Sequence, residues 1–292
     1  MDAFTIKELE NLSGIKAHTI RVWEQRYSFL KPQRTSTNIR YYTNEELKIV
    51  LNIALLNKYG YKISHINKMR PDELTEKLVS LSNSQAQQER IINELLQLTI
   101  DMDIEKLEAT LNHYVAAKGI DKVITQVIFP FLEKIGILWL ANHVHPAQEH
   151  LVTNIVRQKL IVGIEGAFTH LATAKTVLLY LPEGEYHELG LLYIHYLLKC
   201  KGIKVLYLGA NVPMKDLELV AAVKKPDFVY THLTTVASNF NFDKFLSHLH
   251  NHFPACSVVI SGQIVFNYKK KMPSSITVCR SLTDFMDFVA RM

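Results

Sequence analysis

Two hydrophobic periods divide this chain. Up to about residue 170, apolar positions recur every three or four residues; after Ala174 they bunch into short continuous runs. The first period is that of amphipathic helices, and the second is that of buried strands. Thr5-Ile-Lys-Glu8 has the form of a capping box and predicts a short helix through Leu9 to Leu12, broken by Ser13-Gly14. A second helix is expected over Ala17–Tyr27, with Ile20, Trp23 and Tyr27 on one face. Two short helices joined by a glycine turn make a helix-turn-helix. Leu30 to Tyr42 then reads as two short strands and a turn, basic at the tip and aromatic on the return. Thr43-Asn-Glu-Glu46 repeats the capping box and opens a helix ending near Gly60, and Ser64 is expected to cap another before Pro71.

Arg70 to Ser84 is polar and reads as a short helix and linker. Four helices follow, over about Gln85–Leu98, Asp103–Ala117, Gly119–Ala141 and Pro146–His170. Short loops between amphipathic helices predict an antiparallel bundle. Beyond Ala174, strands are expected at Thr176–Leu181, Ile203–Leu208, Asp227–Leu233, Ser257–Gly262 and Ser275–Cys279. Helices at Leu189–Cys200, Met214–Val223, Phe242–Phe253 and Leu282–Ala290 alternate with them. Fully apolar strands alternating with helices indicate a parallel sheet covered on both faces. The expected fold is α/β multidomain: a winged helix-turn-helix over 1–75, a four-helix bundle over 76–172 and a Rossmann-like doubly wound sheet over 173–292.

Charge sharpens this division. The 292 residues carry 33 Lys+Arg against 28 Asp+Glu, a net +5 that is too mild to argue for nucleic acid by itself. Met1–Tyr42, however, holds seven basic residues against four acidic ones. A basic module on a near-neutral body is therefore expected. Three cysteines with no C-x-x-C exclude a disulfide framework and a Cys-type zinc site. No signal-peptide pattern and no run of 18 apolar residues is evident, so the chain reads as cytosolic and without a membrane partner.

Within the basic module the residues match a family. Ile6-x-Glu8-Leu9, Ser13-Gly14-Ile15, Thr19-Ile20-Arg21-x-Trp23-Glu24, Leu30-x-Pro32-x-Arg34-Thr35 and Asn38-x-Arg40-Tyr41-Tyr42 resemble the signature of MerR-type transcription regulators. The resemblance implies that the second helix enters the major groove of double-stranded DNA while the wing follows the phosphates. The DNA-contact set expected is Lys16, His18, Thr19, Arg21, Arg26, Arg34, Asn38, Arg40 and Tyr41. A guanidinium pairs well with phosphate or guanine, and Asn38 suits the wing turn. Trp23 and Tyr42 read as core aromatics, and Glu24 as a structural partner of a neighbouring Arg.

Ligands of doubly wound sheets bind at the carboxyl ends of the strands. After the first strand stands Glu185-Tyr-His187-Glu-Leu-Gly190, which is neither G-x-G-x-x-G nor a lysine-bearing phosphate loop. It resembles the D/E-x-H-x-x-G signature of cobalamin-binding domains. That resemblance implies that His187 ligates cobalt from below while Glu185 bonds its other nitrogen. Gly209-x-x-Val212-Pro213, Thr231 and Thr234, and Ser261-Gly262-Gln263 close the next three strands and would flank the nucleotide tail. Ser261 stands where the family has the first glycine of a pair, so crowding of the groove is expected.

One bundle segment is unusual: Trp139-Leu-Ala-Asn-His143-Val-His145-Pro-Ala-Gln-Glu149-His150. Three His and a Glu could mark a metal site, but no second ligand pair is evident, so the segment reads as a polar helix N-terminus. Nine residues separate Trp139 from Glu149-His150, which resembles a motif of the CarH/LitR light-sensor family, as does the order of the three domains. The resemblance implies that Trp139 covers the upper, adenosyl face of cobalamin, with Glu149 and His150 beside it. Light-sensing members carry a His after the Trp; here Leu140 stands there and cannot ligate cobalt. The reading is a non-enzymatic transcription regulator, a repressor and photoreceptor by resemblance. Adenosylcobalamin would control its oligomeric state (dimer or tetramer) and its DNA affinity. The alternatives are a cobalamin-dependent methyl carrier, for which a DNA reader has no use, and a cofactor-free regulator acting through protein partners.

Overall fold

The computed structural model describes residues 4–169, 173–236, 240–253 and 256–292, so the expected helix end at His170 lies outside the described residues. The chain forms two compact units, Met1–Ile155 and Val156–Met292.

In the first unit, α1 (Ile6–Ser13) and α2 (Ala17–Arg26) form the helix-turn-helix. Thr5 and Glu8 close the capping box on α1, and Gly14 ends the helix in the left-handed conformation at φ 74°. β1 (Gln33–Arg34) and β2 (Arg40–Tyr41) make the antiparallel wing. Phe4 pairs with Tyr42 and ties the start of the chain to the wing's return. α3 (Asn44–Lys58) opens on its own capping box, Thr43 with Glu46. α4 (Ile63–Ile66) begins two residues earlier than expected: its N-cap is Lys62, and Ser64 lies inside it. α5 (Pro71–Val79) carries Pro at its first turn, where the missing N–H costs nothing.

α6 (Ser84–Ile100) is the buried centre of this unit, with Ile91, Ile92, Leu95, Leu96, Leu98 and Ile100 all in the core. It packs on α3, on α7 (Ile104–Lys118) and on the third bundle helix. Lys58 of α3 also pairs with Glu89 of α6 at 2.6 Å. The third bundle helix is not uniform: α8 (Ile120–Val123) passes through a π turn at Ile124–Ile128 into α9 (Phe129–Leu140). Pro130 explains the break. It has no N–H to give to Gln126, and the Phe129 N–H reaches back five residues to the Ile124 carbonyl. Contrary to the expectation from the sequence, Ile120–Leu140 is long and apolar enough to cross a membrane by length and composition. Its Val123, Ile124, Val127, Ile128, Phe131, Ile135 and Leu138 are buried in the protein. α10 (Pro146–Gly166) leads from the first unit into the second.

The second unit is built on five parallel strands: β3 (Thr176–Pro182), β4 (Lys204–Val212), β5 (Phe228–His232), β6 (Ser257–Ser261) and β7 (Ile276–Cys279). Their order is β4-β3-β5-β6-β7. The chain leaves β3 to one side, reaches β4, and returns to the other side at β5. That reversal places a topological switch point at the carboxyl ends of β3 and β5. α12 (Met214–Lys224), α13 (Phe242–His252) and the short α14 (Gln263–Asn267) cover one face. They share a core with Leu178, Tyr180, Val229, Val258 and Ile260. α11 (Leu189–Cys200) and α15 (Leu282–Ala290) cover the other face, with Phe285 edge-on to Tyr230. β4 runs four residues further than its apolar run, through Gly209 to Val212, because irregular pairing with β3 carries it on.

Candidate functional site

The residues expected to contact DNA lie on α2 and the wing. Ile20 and Trp23 anchor α2 in the core, with Trp23 edge-on to Phe29, and this leaves His18, Arg21 and Arg26 exposed on the opposite side. Thr19 is partly covered, and exposed Lys16 reaches Glu10 at 3.3 Å. The wing turn is closed by the Asn38 N–H donating to the Thr35 carbonyl at 2.9 Å, with Asn38 at φ 65°, a conformation that Asn tolerates. Arg34 donates to the Asn38 side chain at 2.6 Å and stays exposed at the tip. Tyr41 donates to Gln33 across the wing.

Arg40 is a correction. Its guanidinium donates to Glu24 at 2.9 Å, is itself half-buried, and holds a carboxylate that also accepts from the Tyr42 hydroxyl. Its place in the fold is a brace between wing and α2 rather than a free contact for DNA. Glu24 is its partner, and Trp23 and Tyr42 lie in the core, as expected of them.

The bundle segment does not gather into a metal centre. The His143 ring stacks on Phe4 at 4.1 Å and its Nε2 meets Glu8 at 3.1 Å. His145 Nδ1 accepts from the Ala147 N–H at 3.1 Å, and His150 pairs with Glu149 at 3.0 Å. Gln148, between them, donates to the Thr99 and Ile100 carbonyls and pins the start of α10. Trp139 is half-exposed, and Leu140 is 78% exposed.

The second site is at the switch point. The loop after β3 carries Glu185, fully buried, and exposed His187. Glu185 Oε1 accepts from the His187 backbone N–H at 2.9 Å and bonds its Nδ1 at 2.6 Å. Oε2 accepts from the N–H groups of Thr234 and Thr235, after β5, at 2.8 and 2.7 Å. Burial opposes the charged carboxylate, but these donors outweigh it and hold Glu185 below the usual carboxylate range. With Nδ1 bonded to an anchored carboxylate, the imidazole is held in one orientation.

The surrounding residues take roles the sequence did not distinguish. Gly190, in the first turn of α11, lies hard against His232: a Cβ there would lie 2.6 Å from that ring. The His232 Nδ1 is within 2.8 Å of the Ser261 hydroxyl, which also bonds Tyr230 at 2.6 Å. Desolvation pushes the His232 imidazole down to about 4. Ser261 therefore corrects an expectation. Its side chain is buried and engaged by Tyr230 and His232, so it does not crowd a groove. Gly262 sits at φ 104°, and any side chain would run into the Leu233 carbonyl. Val212 is buried in the core beside α12. Asn211 and Thr235 were missed. Asn211, at φ 56°, accepts from the Gly184 N–H at 3.0 Å and braces the His187 loop. Thr235 acts through its backbone, which no side-chain pattern reports.

The polar atoms around this site bear on cobalamin, the ligand that the resemblance implies. The Thr231 hydroxyl, near the end of β5, is buried with no hydrogen-bond partner among the described residues, and its neighbour across the strands, Tyr180, is in the same state. Buried polar atoms are rarely left unpaired. Unpaired hydroxyls and an oriented imidazole at one switch point fit a ligand that brings both a metal and a polar tail.

A basic reading helix with a wing, in one chain with such a sheet, defines a ligand-responsive transcription regulator. Residues 4–73 match the MerR HTH family regulatory protein model, and residues 91–162 match a B12 binding domain model. The transcriptional repressor CarH of Myxococcus xanthus is 31% identical over 260 residues, covering 86% of this chain and 85% of CarH. The repressor CarA of the same organism is 26% identical, covering 88% and 85%. The monomethylamine corrinoid protein of Methanosarcina barkeri superposes with a TM-score of 0.56 at 14% identity, covering 69% of this chain and 98% of its own, a likeness of fold alone. The chain belongs to the family of CarH and CarA, MerR-type transcription regulators with a B12-binding domain. It is a DNA-binding, B12-regulated regulator, not an enzyme.

Proposed function

We propose that this chain is a cytoplasmic repressor that holds cobalamin, in its adenosyl form, through His187, and that cofactor loading changes its oligomeric state and so its affinity for operator DNA. The observation that carries the reading is Glu185, buried and held by two backbone N–H groups, presenting the His187 ring. When bound, the cofactor supplies the cobalt and its light-sensitive carbon–cobalt bond. The protein's part is to hold the imidazole in one tautomer and to offer Thr231 and the glycine-bounded turn at Gly262 to the nucleotide tail. Trp139, Glu149 and His150 are assigned to the upper face of the cofactor on the family motif, supported by the exposure of Trp139. The functional division is 1–75 for DNA, 76–172 for the bundle and 173–292 for the cobalamin-binding sheet. The link from ligand to DNA is thermodynamic: cobalamin shifts the oligomer equilibrium only by its differential affinity for the two states.

The test is the absorption spectrum of purified protein after incubation with adenosylcobalamin and removal of free ligand. Wild type retains the cofactor, and His187→Ala does not. Glu185→Ala retains it with affinity reduced about 10- to 100-fold, as for loss of a partner that orients a metal-binding His. Undiminished retention by His187→Ala would overturn the assignment.

A further inference from the structure

Away from the switch point, α12 and α13 lie side by side on one face of the sheet. His248 and His252 are four residues apart on α13, so they project from one side of that helix. Their rings are parallel to within 7°, with centroids 3.9 Å apart. Across from them Glu218 of α12 places one oxygen, Oε1, 2.7 Å from His248 Nε2 and 3.0 Å from His252 Nδ1. The three candidate ligand atoms all lie within 4.8 Å of one another, and among the described residues no other group of His, Cys, Asp and Glu converges in this way.

We propose that Glu218, His248 and His252 bind a divalent transition-metal ion of the Zn2+ class, which ties α12 to α13. Two imidazoles with one carboxylate is a donor set that suits zinc, copper or nickel and disfavours Mg2+ and Ca2+, which demand oxygen cages. Zinc bonds of about 2.0–2.1 Å in tetrahedral geometry put ligand atoms about 3.3 Å apart. The observed 2.7 and 3.0 Å are already close, so the Glu218 oxygen has to recede by only a few tenths of an ångström. All three side chains are about one-third to one-half exposed, which leaves the fourth coordination position to water and an open path for the ion. The ligands come from two helices that share one apolar core, so the ion cross-braces the helical layer of this unit. It is independent of cobalamin and of His187.

The experiment is a calorimetric titration of the chelator-stripped full chain with ZnCl2, compared with His252→Ala, His248→Ala, Glu218→Gln and, as a control, His187→Ala. The wild type and His187→Ala take up one Zn2+ equivalent that the other three lose or bind at least ten-fold more weakly. Zn2+ raises the melting temperature of wild type and not of His252→Ala, and MgCl2 does neither. His252 is the most exposed of the three, so its variant decides the matter even if His248→Ala folds poorly. Equal zinc uptake by wild type and His252→Ala, or no uptake by wild type, overturns the site.

Discussion

His232 shows how much one side chain can be asked to tolerate. Its ring sits beneath Gly190 and against Ser261, and desolvation lowers its pKa from about 6.5 to about 4. Above pH 6.5 both folded and unfolded chains carry it neutral, and it adds no pH dependence. As pH falls through 6.5 the unfolded chain takes up a proton that the folded chain refuses until about 4. Stability therefore drops across that window, by about 2 kcal/mol at pH 5. Urea unfolding followed by circular dichroism at pH 7 and pH 5 checks this. Wild type should lose about 2 kcal/mol more than His232→Gln between the two, and equal losses would mean that the burial carries no proton penalty.

At the scale of the element, the wing divides its two arginines. Arg40 neutralises Glu24, whose side chain is only 8% exposed, while Arg34 stands at an exposed tip bonded to Asn38. Arg40→Ala leaves a buried carboxylate without its cation and should lower the stability of the DNA-reading module by about 1–3 kcal/mol. Arg34→Ala should change melting by under about 0.5 kcal/mol, as exposed substitutions do. Its effect is on duplex DNA: weaker binding at every sequence and a salt slope smaller by about one. Thermal melting and salt-titrated fluorescence anisotropy separate the two. Parental salt dependence in Arg34→Ala would remove the wing tip from the DNA contact set.

At the scale of the whole molecule, the question is what light could do. Leu140 is exposed and has no lone pair for cobalt, and His143 is committed to Phe4 and Glu8. Illumination of the adenosylcobalamin complex should therefore give a water-ligated product rather than a stable adduct with two imidazoles, and any change of oligomer should reverse in the dark. Absorption spectra before and after illumination, with size-exclusion chromatography, are the measurement. A stable bis-imidazole spectrum that disappears in His143→Ala or His145→Ala would show that a neighbouring histidine has replaced the missing ligand.

The sequence by itself determined the elements and the two chemistries. Capping boxes at Thr5 and Thr43, apolar runs at Thr176–Leu181 and Ser257–Ser261, and the Glu185-x-His187 spacing are local, and local patterns survive in one dimension. The tertiary structure decided which polar groups remain available. Arg40 and Arg34 look alike in the chain, but among the described residues only the first finds a carboxylate, Glu24 of α2. Ser261 reads as an obstacle to a ligand until Tyr230 and His232, on a neighbouring strand, turn its hydroxyl inward. Glu218 and the α13 histidines are 30 and 34 residues apart and meet only because α12 and α13 cross over the same face of the sheet. Partners so distant in sequence are set by packing, and a hydrogen bond or ion pair removes a group from service whatever its motif implies.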